Sequence, residues 1–274
     1  MTVYGFIGLG HQGTPMAERM IAAGLQPWLW ARRPDVLERY QYTDSHQAAS
    51  PAELGAKCDV IGLCLYDARA TDAVLSGPDG LLGEIRPGTV LAIHATVGPD
   101  YVIDLAQRVS SRGVQVVDAP VSGGDAAAQG QLLVMVGGEE TPCAACEPML
   151  TAYAKTVVRL GGLGTAQTTK LLNNALMTAI TGMVFDVFDI GRRLGINEKG
   201  LGAVLAGGSA ANPSIGHYLA LGGAGELSIR AWPTLHKDVA LLHDLLAGSA
   251  LANGPLATVA ADTVEVMQRH RNDR

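Results

Sequence analysis

Three glycines, Gly8, Gly10 and Gly13, form a G-x-G-x-x-G pattern directly after an apolar run and before an amphipathic one. In a strand–turn–helix context these positions have separate physical uses: a tight turn at Gly8, close backbone approach to a pyrophosphate at Gly10, and close helix–strand packing at Gly13. The first helix turn then offers its amide donors to phosphate oxygens. Leu9, His11 and Gln12 fill the same loop and are expected to line the cofactor. The chemistry implied is dinucleotide binding.

About 20 residues on, NAD-selective loops place an acid on the ribose 2'-hydroxyl. Here the corresponding stretch is Trp30-Ala31-Arg32-Arg33. Guanidinium groups suit bidentate contact with a 2'-phosphate, so Arg32 first and Arg33 second are the expected phosphate contacts. NADP(H) is the expected cofactor, with NAD as the alternative. Leu65 and Tyr66, where another strand ends, and Thr96, in His94-Ala95-Thr96-Val97, also stand where ligands of such sheets bind.

A second constellation is Asp118-Ala119-Pro120-Val121-Ser122-Gly123-Gly124. At a strand end, a hydroxyl and consecutive glycine amides can converge on a carboxylate, because only hydrogen blocks its approach to the backbone. Ser122, Gly123 and Gly124 are the expected clamp of a small carboxylate substrate. A third is the segment 164–174, in which Lys170, Asn173 and Asn174 stand at i, i+3 and i+4. That spacing puts an ammonium and two amides on one helix face.

The elements that must position these groups follow from periodicity. Residues 3–8, 28–31, 60–65, 89–93 and 114–118 read as strands, with helices such as 13–23 and 99–112 between them, and two further strands at 132–136 and 157–160. This alternation predicts an α/β fold: a doubly wound, Rossmann-type parallel sheet. From Thr165 an apolar, proline-free stretch runs to about Leu194. As one helix it would reach roughly 45 Å, long enough to connect two domains. Beyond it, helical patterns are punctuated by Gly207-Gly208, Asn212-Pro213, Gly222-Gly223 and Asn253-Gly254-Pro255. The expected division is a dinucleotide-binding domain at 1–162 and an all-helical substrate and dimerisation domain at 163–274.

With these segments in view, the chain resembles the β-hydroxyacid dehydrogenases over essentially its whole length. The segment from Asp118 to Gly124 is similar to that family's substrate-binding signature, and the segment 164–174 to its catalytic signature. The resemblance implies that Lys170 is the acid/base group at the reacting oxygen and that Asn174 orients lysine and substrate. It implies a place for Lys237, in the pair Lys237-Asp238, facing cofactor or substrate. The family commonly has an acid and a serine before the threonine of the Thr96 loop, where this chain has Ile93 and Ala95. Arg230 stands where many members carry an aromatic residue, and a guanidinium there could select a second carboxylate or a phosphate. The activity implied is hydride transfer between NADP(H) and a small β-hydroxy acid or its semialdehyde. The alternatives are an imine reductase-like enzyme, which usually lacks the lysine and the Ser-Gly-Gly clamp, and a nucleotide sensor without catalysis.

Composition narrows the remaining classes. The chain has 274 residues, 48% hydrophobic and 17% charged, with a net charge of −6. It can bury a sizeable core and offers no broad basic field for nucleic acid or an anionic membrane. A start without a charged leader, and no segment of 18 or so uninterrupted apolar residues, give the expectation of a cytoplasmic protein. Four cysteines are expected to be reduced thiols, and Cys143-x-x-Cys146 is expected on an ordinary helix surface. No ligand spacing suggests a metal. Apolar residues on several faces of the long helix, among them Leu176, Met177, Ile180, Met183, Val184 and Phe188, predict a homodimer or homotetramer.

Overall fold

The computed structural model describes residues 1–272, apart from the side chain of Asp125. Its strands are β1 (Tyr4–Ile7), β2 (Trp28–Trp30), β3 (His46–Gln47), β4 (Val60–Leu63), β5 (Val90–Ile93), β6 (Gln115–Asp118), β7 (Val121–Ser122), β8 (Leu132–Gly137) and β9 (Ala154–Gly161). Its α-helices are α1 (Gly13–Ala22), α2 (Pro51–Lys57), α3 (Ala68–Leu75), α4 (Pro99–Ser110), α5 (Glu140–Tyr153), α6 (Thr165–Arg193), α7 (Glu198–Gly207), α8 (Pro213–Ala220), α9 (Ala224–Leu246) and α10 (Pro255–Asn272). The chain divides into two compact units, Met1–Lys170 and a second that begins at Leu171.

In the first unit one sheet runs in the order β3-β2-β1-β4-β5-β6-β8-β7, with β9 beside β8. Strands β1 to β6 pair in parallel. β8 runs against β6 and β7, and β9 runs with β8. The sheet is therefore mostly parallel, with its last two long strands reversed. β7 is the continuation of β6 along β8: Asp118 pairs with Gly137 and Val121 with Val134, and Pro120, which lacks an N–H, breaks the strand between them.

Alternation along the strands divides the core into two layers. Phe6, Ala92 and Val117 face one side and pack with Met16 and Met20 of α1 and Met149 and Tyr153 of α5. Ile7, Leu91, Ile93 and Val116 face the other and pack with Leu54 of α2, Leu75 of α3 and Leu105 of α4. The expectation of a surface site for Cys143 and Cys146 is corrected here. Both lie on α5, but on its inner face, 3% and 0% exposed. Burial pushes the Cys146 thiol up to about 12, which suits a small apolar filler and not a thiolate. All four cysteines are free thiols.

The second unit is helical. α6 enters it from the first unit and contributes Leu171, Ala175 and Ala179 to one cluster with α9 and α10, and Val184, Phe185 and Phe188 to another with α8 and α9. Among the described residues α6 alone is long and apolar enough to cross a membrane; these buried side chains give its apolar character a place in a protein core. The glycine and Asn-Pro punctuation falls at helix ends and between helices, and at α8 the Asn212 side chain accepts hydrogen bonds from the amides of Ser214 and Ile215.

Candidate active site

The glycine loop lies between β1 and α1. Gly8 has φ +104°, and a Cβ there would sit 2.1 Å from the Cys64 carbonyl oxygen; one on Gly13 would sit 1.9 Å from the oxygen of Gly8. A Cβ on Gly10 would meet nothing within 4 Å. Gly13 thus closes the turn against its own backbone, Gly8 packs it against the chain leaving β4, and Gly10 leaves its side clear. The first turn of α1 carries no acid, so its amides and dipole favour an anion. The Gln12 side-chain nitrogen, in the same loop, is buried without a hydrogen-bond partner. An unmet donor and an open backbone face fit a bound dinucleotide phosphate.

Beyond β2 a cleft of about 310 Å³ is lined by Leu9, Thr14, Arg33, Asp35, Val36 and Arg39. Arg32 is exposed and is not among its lining residues. Sequence reasoning missed Arg39, which lies on the 3-10 turn Pro34–Tyr40 and pairs with Glu18 at 3.7 Å. It also missed Asp35, an acid inside the cleft. Leu65 is half-buried, Tyr66 exposed and Thr96 half-buried, after the ends of β4 and β5. All three therefore stand at the carboxyl edge of the parallel strands.

Ser122 closes β7, and Gly123 and Gly124 follow with φ +126° and +52°. Successive left-handed residues turn their amides toward one side, and only glycine adopts them without strain. Asp118, at the head of the Ser-Gly-Gly segment, has a structural role that its motif does not indicate. Its buried carboxylate accepts hydrogen bonds from the backbone N–H of Gly164 (3.0 Å) and of Gln167 (2.9 Å), in the first turn of α6. Burial raises the carboxyl pKa and these amides oppose the rise.

Gln167 is itself buried: its Oε1 accepts from the Val97 amide (3.1 Å) and its Nε2 donates to the Ala95 carbonyl (2.9 Å). One helix turn is thereby tied to the ends of β5 and β6. Lys170, three residues on, is 9% exposed. The first unit thus gathers the glycine loop, the Ser-Gly-Gly turn and Lys170 on one sheet framework.

In the second unit, Asn173 donates from its amide to Oδ1 of Asn174 (3.0 Å), and Asn174 donates to Asp238, whose other oxygen accepts from Lys237 at 2.7 Å. Asn174 and Asp238 are buried, and Asn173 is exposed. Lys237 belongs to a built polar chain in which Asp238 is the shared acceptor. Arg230 is exposed on α9, seven residues before Lys237 and so on the same helix face. Among the described residues no three His, Cys, Asp or Glu side chains are grouped to hold a metal ion.

Residues 3–162 match the family described as the NAD binding domain of 6-phosphogluconate dehydrogenase. The chain is 36% identical over 205 residues to the mitochondrial 3-hydroxyisobutyrate dehydrogenase of Mus musculus, covering 74% of this chain but 61% of that relative. It is 35% identical over 199 residues to the L-threonate dehydrogenase of Cupriavidus necator, covering 72% and 67%. In fold it is similar to the 3-hydroxyisobutyrate dehydrogenase of Mycobacterium tuberculosis solved with L-serine, with a TM-score of 0.81 at 24% identity over 98% of this chain and 95% of that one. The chain belongs to the β-hydroxyacid dehydrogenase family.

Proposed function

We propose that this chain is an NADP(H)-dependent oxidoreductase that interconverts a small β-hydroxy acid and its semialdehyde, with Lys170 as the acid/base group. The observation that carries this reading is the placement of a buried Lys170 on a helix whose first turn is tied to β6, the strand that leads into Ser122, Gly123 and Gly124.

Gly8, Gly10, Gly13 and the α1 amides would hold the cofactor pyrophosphate, with Leu9, His11 and Gln12 around it and Leu65, Tyr66 and Thr96 toward the nicotinamide. Arg33 and Arg39, with Arg32 nearby in sequence, favour a 2'-phosphate through bidentate contact, while Asp35 and Glu18, the partner of Arg39, oppose it. When bound, the nicotinamide supplies or accepts the hydride.

The chain's own residues supply the rest. Ser122 Oγ–H and the Gly123 and Gly124 amides donate to the substrate carboxylate and set the carbonyl at a fixed distance from it. In reduction, the Lys170 ammonium donates a proton to the oxygen on which negative charge develops, and the amine then regains a proton from solvent. In oxidation, the neutral amine takes the hydroxyl proton. Asn174, one helical turn on, retains one amide hydrogen and one oxygen lone pair beyond its bonds to Asp238 and Asn173, and orients the reacting groups. Leu176, Met183, Val187 and Ile190, exposed along α6, support a homodimer or homotetramer that covers them.

The direct test follows NADPH oxidation against glyoxylate, succinic semialdehyde, methylmalonate semialdehyde, tartronate semialdehyde and cyclic imines, with Lys170→Ala in parallel. Turnover of an acid aldehyde that Lys170→Ala abolishes supports the proposal. Turnover of imines alone, or NADPH binding with no turnover of any acid aldehyde, counts against it.

A further inference from the structure

At the end of β5 the imidazole of His94 takes over a bond that the sheet cannot make. The Ala119 amide donates to the Ile93 carbonyl, as the parallel ladder requires. The next rung would bring an amide from β5 to the Ala119 carbonyl. That amide belongs to Ala95, and it turns instead to the Leu63 carbonyl, which already accepts from His94 in the ladder with β4. His94 Nδ1 lies 2.7 Å from the Ala119 oxygen. A carbonyl oxygen only accepts, so Nδ1 carries the proton and Nε2 is left to accept from the Tyr153 hydroxyl, 3.1 Å away.

The ring is built in from every side. Phe6 stacks on it at 5.9 Å and Tyr153 meets it edge-on at 5.8 Å. A Cβ on Gly62 would come within 2.7 Å of the Phe6 ring and 3.2 Å of Nε2, so the glycine in β4 makes room for the stacked pair. Burial holds the imidazole neutral, with its pKa pushed down to about 4. The residue it grips is the last before Pro120, at the break between β6 and β7, and Ser122 follows it three residues later.

We propose that His94 is a positioning residue for the substrate clamp: by holding the Ala119 carbonyl it fixes where the chain leaves β6 and therefore where Ser122, Gly123 and Gly124 present their donors. This inference rests on the reading of those three residues as the carboxylate clamp. It assigns His94 no contact with substrate.

The test uses the full chain and two substitutions. His94→Leu removes both polar atoms, while His94→Asn keeps an N–H donor near the position of Nδ1. For the acid aldehyde turned over, His94→Leu should raise KM about ten-fold, the effect of one hydrogen bond to a buried carbonyl. NADPH affinity and kcat should change far less, and His94→Asn should recover most of the KM. Backbone deuterium uptake over 119–130 should rise in His94→Leu and return toward wild type in His94→Asn, a readout independent of turnover. Should His94→Leu fail to fold, Tyr153→Phe, which loosens only the Nε2 side, should raise uptake in the same segment by less. Equal loss of KM, kcat and NADPH binding in both His94 variants, or unchanged uptake over 119–130, overturns the proposal. Absence of acid-aldehyde turnover in the wild type would instead overturn the functional reading, with the uptake comparison still deciding the role of His94.

Discussion

The Asp118 carboxylate accepts a hydrogen bond from the backbone N–H of Gln167 at 2.9 Å, so the strand that leads into the Ser-Gly-Gly turn also caps the helix that carries Lys170. An ionised acceptor at a helix start is stabilised by orphan amides and by the helix dipole together. Gln167 returns the link through its side chain to Ala95 and Val97. Lys170 is therefore held from two strands at once.

This predicts different outcomes for two nearly isosteric changes. Asp118→Asn turns one acceptor into a donor facing an N–H, leaving a buried amide unmet, and should lower stability by about 2 kcal/mol. Gln167→Leu keeps the helix cap but frees the β5 loop from the helix. It should lower kcat by about ten-fold or more, with a smaller effect on NADPH affinity. Chemical denaturation and steady-state kinetics on the two variants check the split. A Gln167→Leu variant with wild-type kcat would show that the cap alone positions Lys170.

The cleft beyond β2 predicts a cofactor preference that can be moved in both directions. Arg33 and Arg39 line it together with Asp35. Replacing both arginines by alanine should weaken NADPH binding by about ten- to one-hundred-fold and leave NADH binding much less changed, since only the former carries a phosphate for bidentate contact. Asp35→Asn should favour NADPH further. Fluorescence titration with both cofactors checks this, and Arg32→Ala serves as the comparison that separates the cleft arginines from their exposed neighbour.

What the sequence made legible was what local spacing determines. The glycine loop, the extent of α6 and the punctuation between the later helices depend on neighbours within a few residues. Strand patterns carry no direction, so the reversal of β8 and β9 could not be read, and β7 is two residues long. The partners of Asp118 and Gln167 lie 49 and 70 residues away, a separation that no periodicity reports. Arg39 was hidden for a related reason: a 3-10 turn brings it back to the cleft that Arg33 borders. For Cys143 and Cys146, helix type was visible but the buried face was not, because alanine and cysteine fit either face of α5.

Acid stability should carry the signature of His94. An unfolded imidazole titrates near 6.5 and the folded one near 4. Between those values the unfolded chain binds a proton that the folded chain refuses, so stability is full above about pH 6.5 and falls as pH drops toward 4. The full effect is about 3 kcal/mol. Asp118 acts with the opposite sign, because its raised pKa lets the folded state take up a proton first on acidification. The difference between wild type and His94→Asn isolates the histidine: denaturation midpoints measured from pH 7.5 to 4.5 should fall more steeply for wild type. Parallel slopes would show that His94 is not the group refusing the proton.

The three loop glycines should separate fold from binding. Gly13→Ala places a methyl 1.9 Å from a backbone oxygen, and Gly8→Ala adds a left-handed φ to a 2.1 Å clash. Neither neighbour is a flexible side chain, so both substitutions should destabilise the folded state itself, by more than the roughly 1 kcal/mol typical of point substitutions. Gly10→Ala meets nothing in the protein. Its melting temperature should match wild type in the absence of cofactor, while its affinity for NADPH and for NADH falls in parallel, because the added methyl occupies the approach to the pyrophosphate common to both. Thermal melts with and without each cofactor read both quantities in one experiment. A Gly10→Ala protein that melts normally and still gains wild-type stabilisation from NADPH would mean that the pyrophosphate does not approach the backbone at Gly10.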